Sequence, residues 1–451
     1  MHHRLIPYVL SLLLLAGCDR GQPQEVTYHK DIAPILARSC APCHRPGSAG
    51  PFNLLTYEDA VRHASTILLT VTSGFMPPWP ADTSYVRFKD EKVLTAQEIS
   101  LIRSWVDHGK KEGETISGSD VLHEAVMATG QPDFTVTFRN PYPLPGDNKD
   151  RFLMMKVPVE LPADTFIRYI EIVPGNKKLV HHINGHLVLY EPERKKHLDN
   201  GVFAADAEQQ DKMSAYRMLD LANDDGSYPM LTPSVTNYLP GVEPAIYPDG
   251  IGGYRLSRKS VLLLDNIHYG PTPIDTSDQT TFNFYFLPHP PVRPVREFIL
   301  GTSGISPIEP PLVIPPGERK SFTTRYTLPE DISLLTVNPH MHLLGSDFKA
   351  YALSPVGDTI RLIRIQKWDF RWQYFYTYQR PVHLTAGTTI VVEGTFDNTD
   401  NNPLNPFHPP RTVAEREGSM RTTDEMFQFI CTYLPYRTGD ETISLKTNQH
   451  R

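Results

Sequence analysis

Pro339-His340-Met341-His342-Leu343-Leu344-Gly345 is the stretch on which the reading of this chain turns. Side chains alternate along a strand, so an HxH pair presents His340 and His342 to one face and Met341 to the other. Two imidazoles on one face can share a metal ion. The wider sequence supports strands: segments 152–159, 166–173, 187–190, 261–267, 282–287 and 389–396 are short and rich in β-formers, with turns of Gly, Pro, Asn or Asp between them. The 42 prolines among 451 residues fit many short strands and loops better than long helices.

Three more clusters of imidazole or thioether ligands lie in the same region: Val180-His181-His182-Ile183, Asn266-Ile267-His268-Tyr269-Gly270, and Thr423-Asp424-Glu425-Met426-Phe427-Gln428-Phe429. Met426, Gln428 and Ile430 share a strand face. His181 and His182 are neighbours and diverge on a regular strand, so they can share a metal only at a bulge or a strand end. The alternative for the set is satisfied core histidines and a core methionine.

In order, spacing and flanking residues, these clusters resemble the copper type II, ascorbate-dependent monooxygenases, the family of peptidylglycine α-hydroxylating monooxygenase and dopamine β-monooxygenase. The resemblance rests on His268-Tyr269-Gly270, on His342 followed by Leu344-Gly345, and on Asp424-Glu425-Met426. It implies two all-β, jelly-roll-like sandwich domains, 133–290 and 295–440, holding one copper ion each. His181, His182 and His268 then resemble the site that passes electrons, and His340, His342 and Met426 the catalytic site that meets O2. Imidazole suits both copper oxidation states, while a thioether favours Cu(I). His186 matches no ligand of the family and reads as structural or as a neighbour of the ligands. Three departures stand out. The disulfides of mammalian members have no cysteines here, Asn338 stands where peptidylglycine members carry a substrate-gripping arginine, and Ile430 stands where they carry a tyrosine. The substrate, a small molecule or a peptide, is therefore open.

Upstream, Cys40-Ala41-Pro42-Cys43-His44 is a c-type haem attachment pattern. Two thiols at this spacing can bond both vinyl groups of one haem while His44 ligates its iron. A zinc site would need a second CxxC, and a redox dithiol has no use for the following histidine. Residues 28–39 predict a helix with Ile32, Ile35 and Leu36 on one face, and Thr95 is an N-cap candidate for a helix striped by Ile99, Ile102, Trp105 and Val106. Met76, in Gly74-Phe75-Met76-Pro77-Pro78-Trp79, is the expected sixth ligand, with His63 and His108 as alternatives. Residues 24–115 are thus expected to form a small all-α cytochrome c domain, joined by a linker over 116–132.

The N-terminus has a short cationic start, an apolar run and Leu15-Ala16-Gly17-Cys18, which resembles a bacterial lipobox; a plain secretory signal is the alternative. Residues 1–18 would then be a lipoprotein signal, and lipidated Cys18 would anchor the chain to a membrane on the periplasmic or cell-surface side of the envelope. With Cys18, Cys40 and Cys43 modified, Cys431 has no partner for an intramolecular disulfide. A formal net charge of −7 and the lack of a long basic run argue against nucleic acid. The expected function is C–H hydroxylation with O2, with electrons from an external donor (a redox protein or an ascorbate-like reductant) relayed by the covalent haem to the two coppers. The competing expectation is an envelope electron-transfer or copper-binding haem protein without monooxygenase activity.

Overall fold

The computed structural model describes residues 25–115, 131–240 and 245–446, apart from 47, 49, 417, 418 and 420. Cys18 with its signal segment, and nearly all of the expected linker, lie outside the described residues.

Two β-sandwiches follow one another along the chain. In the first, a five-stranded sheet orders Ala204–Asp206, Arg151–Glu160, Lys259–Tyr269, Val180–Tyr190 and Met230–Tyr238 as neighbours. It faces a four-stranded sheet of Phe134–Thr137, Thr281–Phe286, Thr165–Val173 and Tyr254–Leu256. Met155, Leu262, Ile170 and Phe284 meet between the two sheets, all fully or almost fully buried. The second sandwich pairs a sheet of Arg296–Gly301, Phe427–Pro435, Ile332–Met341 and Tyr376–Leu384 with a five-stranded sheet that includes Arg319–Thr327, Thr389–Asp397 and Gly345–Leu353. Its core holds Phe322, Phe348, Val392, Phe396 and Phe427. Burying apolar side chains between two sheets is the main favourable contribution to each body.

The expectation of a small all-α domain over 24–115 is corrected by the structure. The protein is mostly β-sheet, and its described helices are short: Ala33–Ser39 after a π turn at Tyr28–Ile32, Tyr57–Thr72, Ala96–Asp107 and Lys212–Met218. The N-terminal helices do share a small core around Leu36, Ala60, Ile102 and Trp105, and Thr95 with Glu98 forms a full capping box. They do not close into a sizeable all-α domain, because the chain between them is committed elsewhere. Ala81 bridges Ile365 and Phe88 bridges Tyr378, while Trp79 and Val86 pack on the core of the second sandwich. The amides of Asp82 and Lys89 donate to Arg364 O (2.8 Å) and Thr377 O (2.7 Å). Proline and aromatic residues there favour a strap over a sheet, and helical periodicity in the flanks says nothing about that strap.

Candidate metal centres

The strand Val180–Tyr190 enters its sheet through an irregularity. Val180 pairs with Tyr269 and His182 with His268, so His181 is the extra residue of a bulge. That extra residue lets two adjacent histidines approach His268: the rings of His181 and His182 lie 4.5 and 5.2 Å from it. Phe152 is the register partner of His268 on the other side and stacks on its ring at 4.2 Å. His268 Nε2 donates to Asp150 Oδ1 at 2.7 Å, leaving Nδ1 with the lone pair. Candidate ligand atoms of Asp150, His181 and His268 all lie within 4.8 Å of one another. Burial, then the neighbouring His268, pushes His181 down to about 4 and His182 well below the usual histidine value, so both rings are neutral. His182 Nε2 is buried without a hydrogen-bond partner among the described residues. An unpaired buried ring nitrogen is costly unless something coordinates it.

The second group is built at the end of a strand pair. His340 faces Gln428 and Met341 faces Phe427, so the register, continued by one step, sets His342 opposite Met426. Directly opposed residues share a face, which gathers His340, His342, Met426 and Gln428 on one side. The two imidazoles lie 5.0 Å apart and nearly perpendicular. His342 Nδ1 donates to Asp424 O (2.8 Å), and the amides of His342 and Leu344 donate to the buried Glu425 carboxylate (3.0 and 2.7 Å). Burial drives Glu425 up to about 8, against the pull of those amides. His340 Nδ1 meets Gln373 Oε1 at 2.5 Å, while Gln373 Nε2 donates to Phe370 O at 2.8 Å. Burial lowers His340 to about 3, helped by His342, and lowers His342 to about 4. Asn338 spends its amide on Tyr374 O (2.8 Å). Gln428 Nε2 donates to Thr302 O.

One ring stands between the groups. Phe370 lies 6.4 Å from His182, 6.5 Å from His268 and 5.7 Å from His342, centroid to centroid. It is buried against Phe152, Ala207 and Leu343.

His186 is not part of either group. Its Nδ1 donates to Thr232 O and its Nε2 lies 3.1 Å from the Asp265 carboxylate. Burial opposes its charge, but Asp265 prevails and raises it to about 9. A protonated ring has no lone pair to give a metal.

In the N-terminal segment Cys40, Cys43 and His44 occupy one turn. His44 Nδ1 donates to Phe52 O at 3.0 Å, which leaves Nε2 as the ligating atom. The turn packs so tightly on Gly50 that a Cβ there would meet Cys43 O at 2.7 Å and His44 Nδ1 at 2.9 Å. Both cysteines are free; burial pushes Cys40 up to about 12 and Cys43 upward too. Met76 is half-buried on the loop after Tyr57–Thr72, its amide donating to Thr70 O. His63 stacks on Phe52 at 3.8 Å, and His108 is exposed at a helix end with Nδ1 donating to Ser104 O.

Residues 312–408 match the family model of the copper type II ascorbate-dependent monooxygenase C-terminal domain. The matched span contains His340, His342, Phe370 and Gln373 and ends before Met426. That family's description implies an oxidoreductase using copper, O2 and an ascorbate-like reductant. No curated protein matches the chain. Among solved structures, PNGF-II in its P21 crystal form is 8% identical with a TM-score of 0.27, covering 72% of this chain and 69% of that one. The infectious bursal disease virus VP2 subviral particle is 9% identical with a TM-score of 0.14, covering 72% and 87%. Likenesses this loose bear on neither fold nor function.

Asp150, Phe370 and Gln373 were not singled out by sequence reasoning. Asp150 and Gln373 reach the histidines from loops, through contacts that follow no periodicity; the aromatic density of 368–378 is the one signal that could have marked the latter region as closely packed.

Proposed function

We propose that the protein is a copper-dependent monooxygenase of the cell envelope that hydroxylates a C–H bond with O2, drawing electrons through a covalent c-type haem. The observation that carries the reading is the pair of imidazole groups facing each other across Phe370, one of them inside the matched domain. The donor chemistry fits copper: His181, His182 and His268 would hold one ion, and His340, His342 and Met426 the other. Copper, when bound, supplies the one-electron chemistry that O2 activation requires. The chain's own residues do the rest. Asp424 O and Gln373 hold the second pair of rings in one tautomer, Met426 would bias a bound ion toward the reduced state, and Phe370 keeps the space between the groups apolar.

The His44 tautomer and the adjacent free thiols fit a covalent haem held by Cys40, Cys43 and His44, with Met76 as the sixth ligand. Lipidated Cys18 would tether the protein outside the cytoplasm; no described helix is long and apolar enough to cross a membrane. The donor would be a redox protein or an ascorbate-like reductant.

The test is metal and haem analysis followed by a substrate screen. Protein matured with haem should bind two coppers and give a covalent pyridine haemochrome, and substrate should drive O2 uptake. Met426→Ala or His340→Ala should abolish that uptake while the His181/His182/His268 group still loads copper. Full turnover in both variants would refute the assignment of the oxygen site.

A further inference from the structure

Gln373 belongs to the loop 366–375, between the strands Thr359–Ile365 and Tyr376–Leu384. Its amide has only one workable orientation. Phe370 O is an acceptor without a hydrogen, so the NH2 group must face it and the oxygen must face His340. An amide oxygen cannot donate, so His340 Nδ1 carries the hydrogen and Nε2 keeps the lone pair. The next residue ties the same loop to the N-terminal strap. Tyr374 OH donates to Pro78 O at 2.9 Å, the Trp79 ring packs on Tyr374 at 5.6 Å, and Arg371 lies over Phe75 at 5.9 Å. From within the sandwich, Asn338 Nδ2 grips Tyr374 O. Tyr374 is thus held from both sides, one residue from the amide that orients His340.

We propose that Gln373 is the positioning residue that presents His340 to metal through Nε2, and that its placement is set by Tyr374 docked on the strap at Pro78. The strap follows Met76 directly, so the haem segment and the metal centre share a mechanical joint rather than only a tether. This rests on the copper reading above for the identity of the metal, though not for the hydrogen-bond logic.

The test uses the full chain in a His181→Ala/His268→Ala background, which removes two of the three ligand atoms gathered with Asp150 and so disables the other histidine group, leaving one Cu(II) signal. Copper binding to this parent is the first measurement; its failure refutes the copper reading itself. Given binding, Gln373→Leu should change the Cu(II) EPR hyperfine coupling and weaken affinity, measured by chelator competition, by about 10- to 100-fold. Gln373→Glu keeps an acceptor for Nδ1–H but gives up the donor to Phe370 O, so it should recover part of the affinity lost in Gln373→Leu. Tyr374→Phe removes one hydroxyl without emptying the site and should shift the spectrum in the same direction as Gln373→Leu, by less. An unchanged spectrum and affinity in Gln373→Leu overturns the positioning role. Loss in Gln373→Leu with no change in Tyr374→Phe overturns the link to the strap.

Discussion

An imidazole binds metal only through a nitrogen that carries no hydrogen, so the partner of the other nitrogen decides whether a histidine can be a ligand. His44, His340 and His342 each have Nδ1 committed to an oxygen and Nε2 left over, whereas His268 has Nε2 committed to Asp150 and Nδ1 left over. His186 has both nitrogens beside acceptors. The carboxylate on His268 adds charge to this logic: hydrogen bonding from His268 holds Asp150 below the usual carboxylate range, so it is an anion that enriches the ring. Asp150→Asn keeps an acceptor and loses the charge; Asp150→Leu loses both. We expect copper affinity at the His181/His182/His268 group to fall several-fold in the first and about 10- to 100-fold in the second, read by chelator competition. Equal affinities across the three proteins would mean that Asp150 does not orient His268.

Elements convert these single contacts into sites. The period of two was enough to place His340 and His342 on one face, because a strand end needs no long-range information to alternate its side chains. The adjacent His181 and His182 were readable only as a condition, a bulge or a strand end, and the register shows the bulge at His181. The helix from Ala96 was also legible, since a capping box is local chemistry. Asp150 and Gln373 were not, because which loop reaches which ring depends on tertiary packing. Gly270, just past the strand Lys259–Tyr269, shows how little room the bulge leaves: a Cβ there would lie 2.6 Å from His181 Nε2 and 2.8 Å from Cε1. Gly270→Ala should therefore push the His181 ring aside. The nearest atoms belong to that ring alone, so we expect an unchanged far-UV spectrum, copper falling from two toward one per chain, and the His340/His342 group still loaded. Two coppers retained at native affinity would show that His181 is free to move or is not a ligand.

At the scale of the molecule, the sandwiches must hold their facing surfaces at a fixed spacing if Phe370 is to sit between the histidine groups. Tyr247 OH bonds Thr336 across the join, and Arg421 reaches Glu208 O from the second body to the first. The strap over 77–92 adds the N-terminal segment, a placement the sequence concealed because helix signals on both sides suggested a self-contained domain. The titratable element of this join is His186 with Asp265 on the first body and Glu297, on the strand Arg296–Gly301, facing them from the second. Burial disfavours charge on His186, yet the Asp265 carboxylate raises it from 6.5 to about 9. A histidine raised on folding contributes stability that is complete below about 6.5 and is lost as pH rises through about 9. Burial also pushes Glu297 up, to about 7, so ionising it works in the same direction and earlier in the titration. His186→Gln separates the two: it removes the cation while keeping polar atoms near Asp265. We expect wild-type protein to exceed this variant in urea midpoint at pH values near 6, and the gap to narrow steadily toward pH 9. A gap that is constant over that range would show that folding does not raise His186 and that its charge does not stabilise the join.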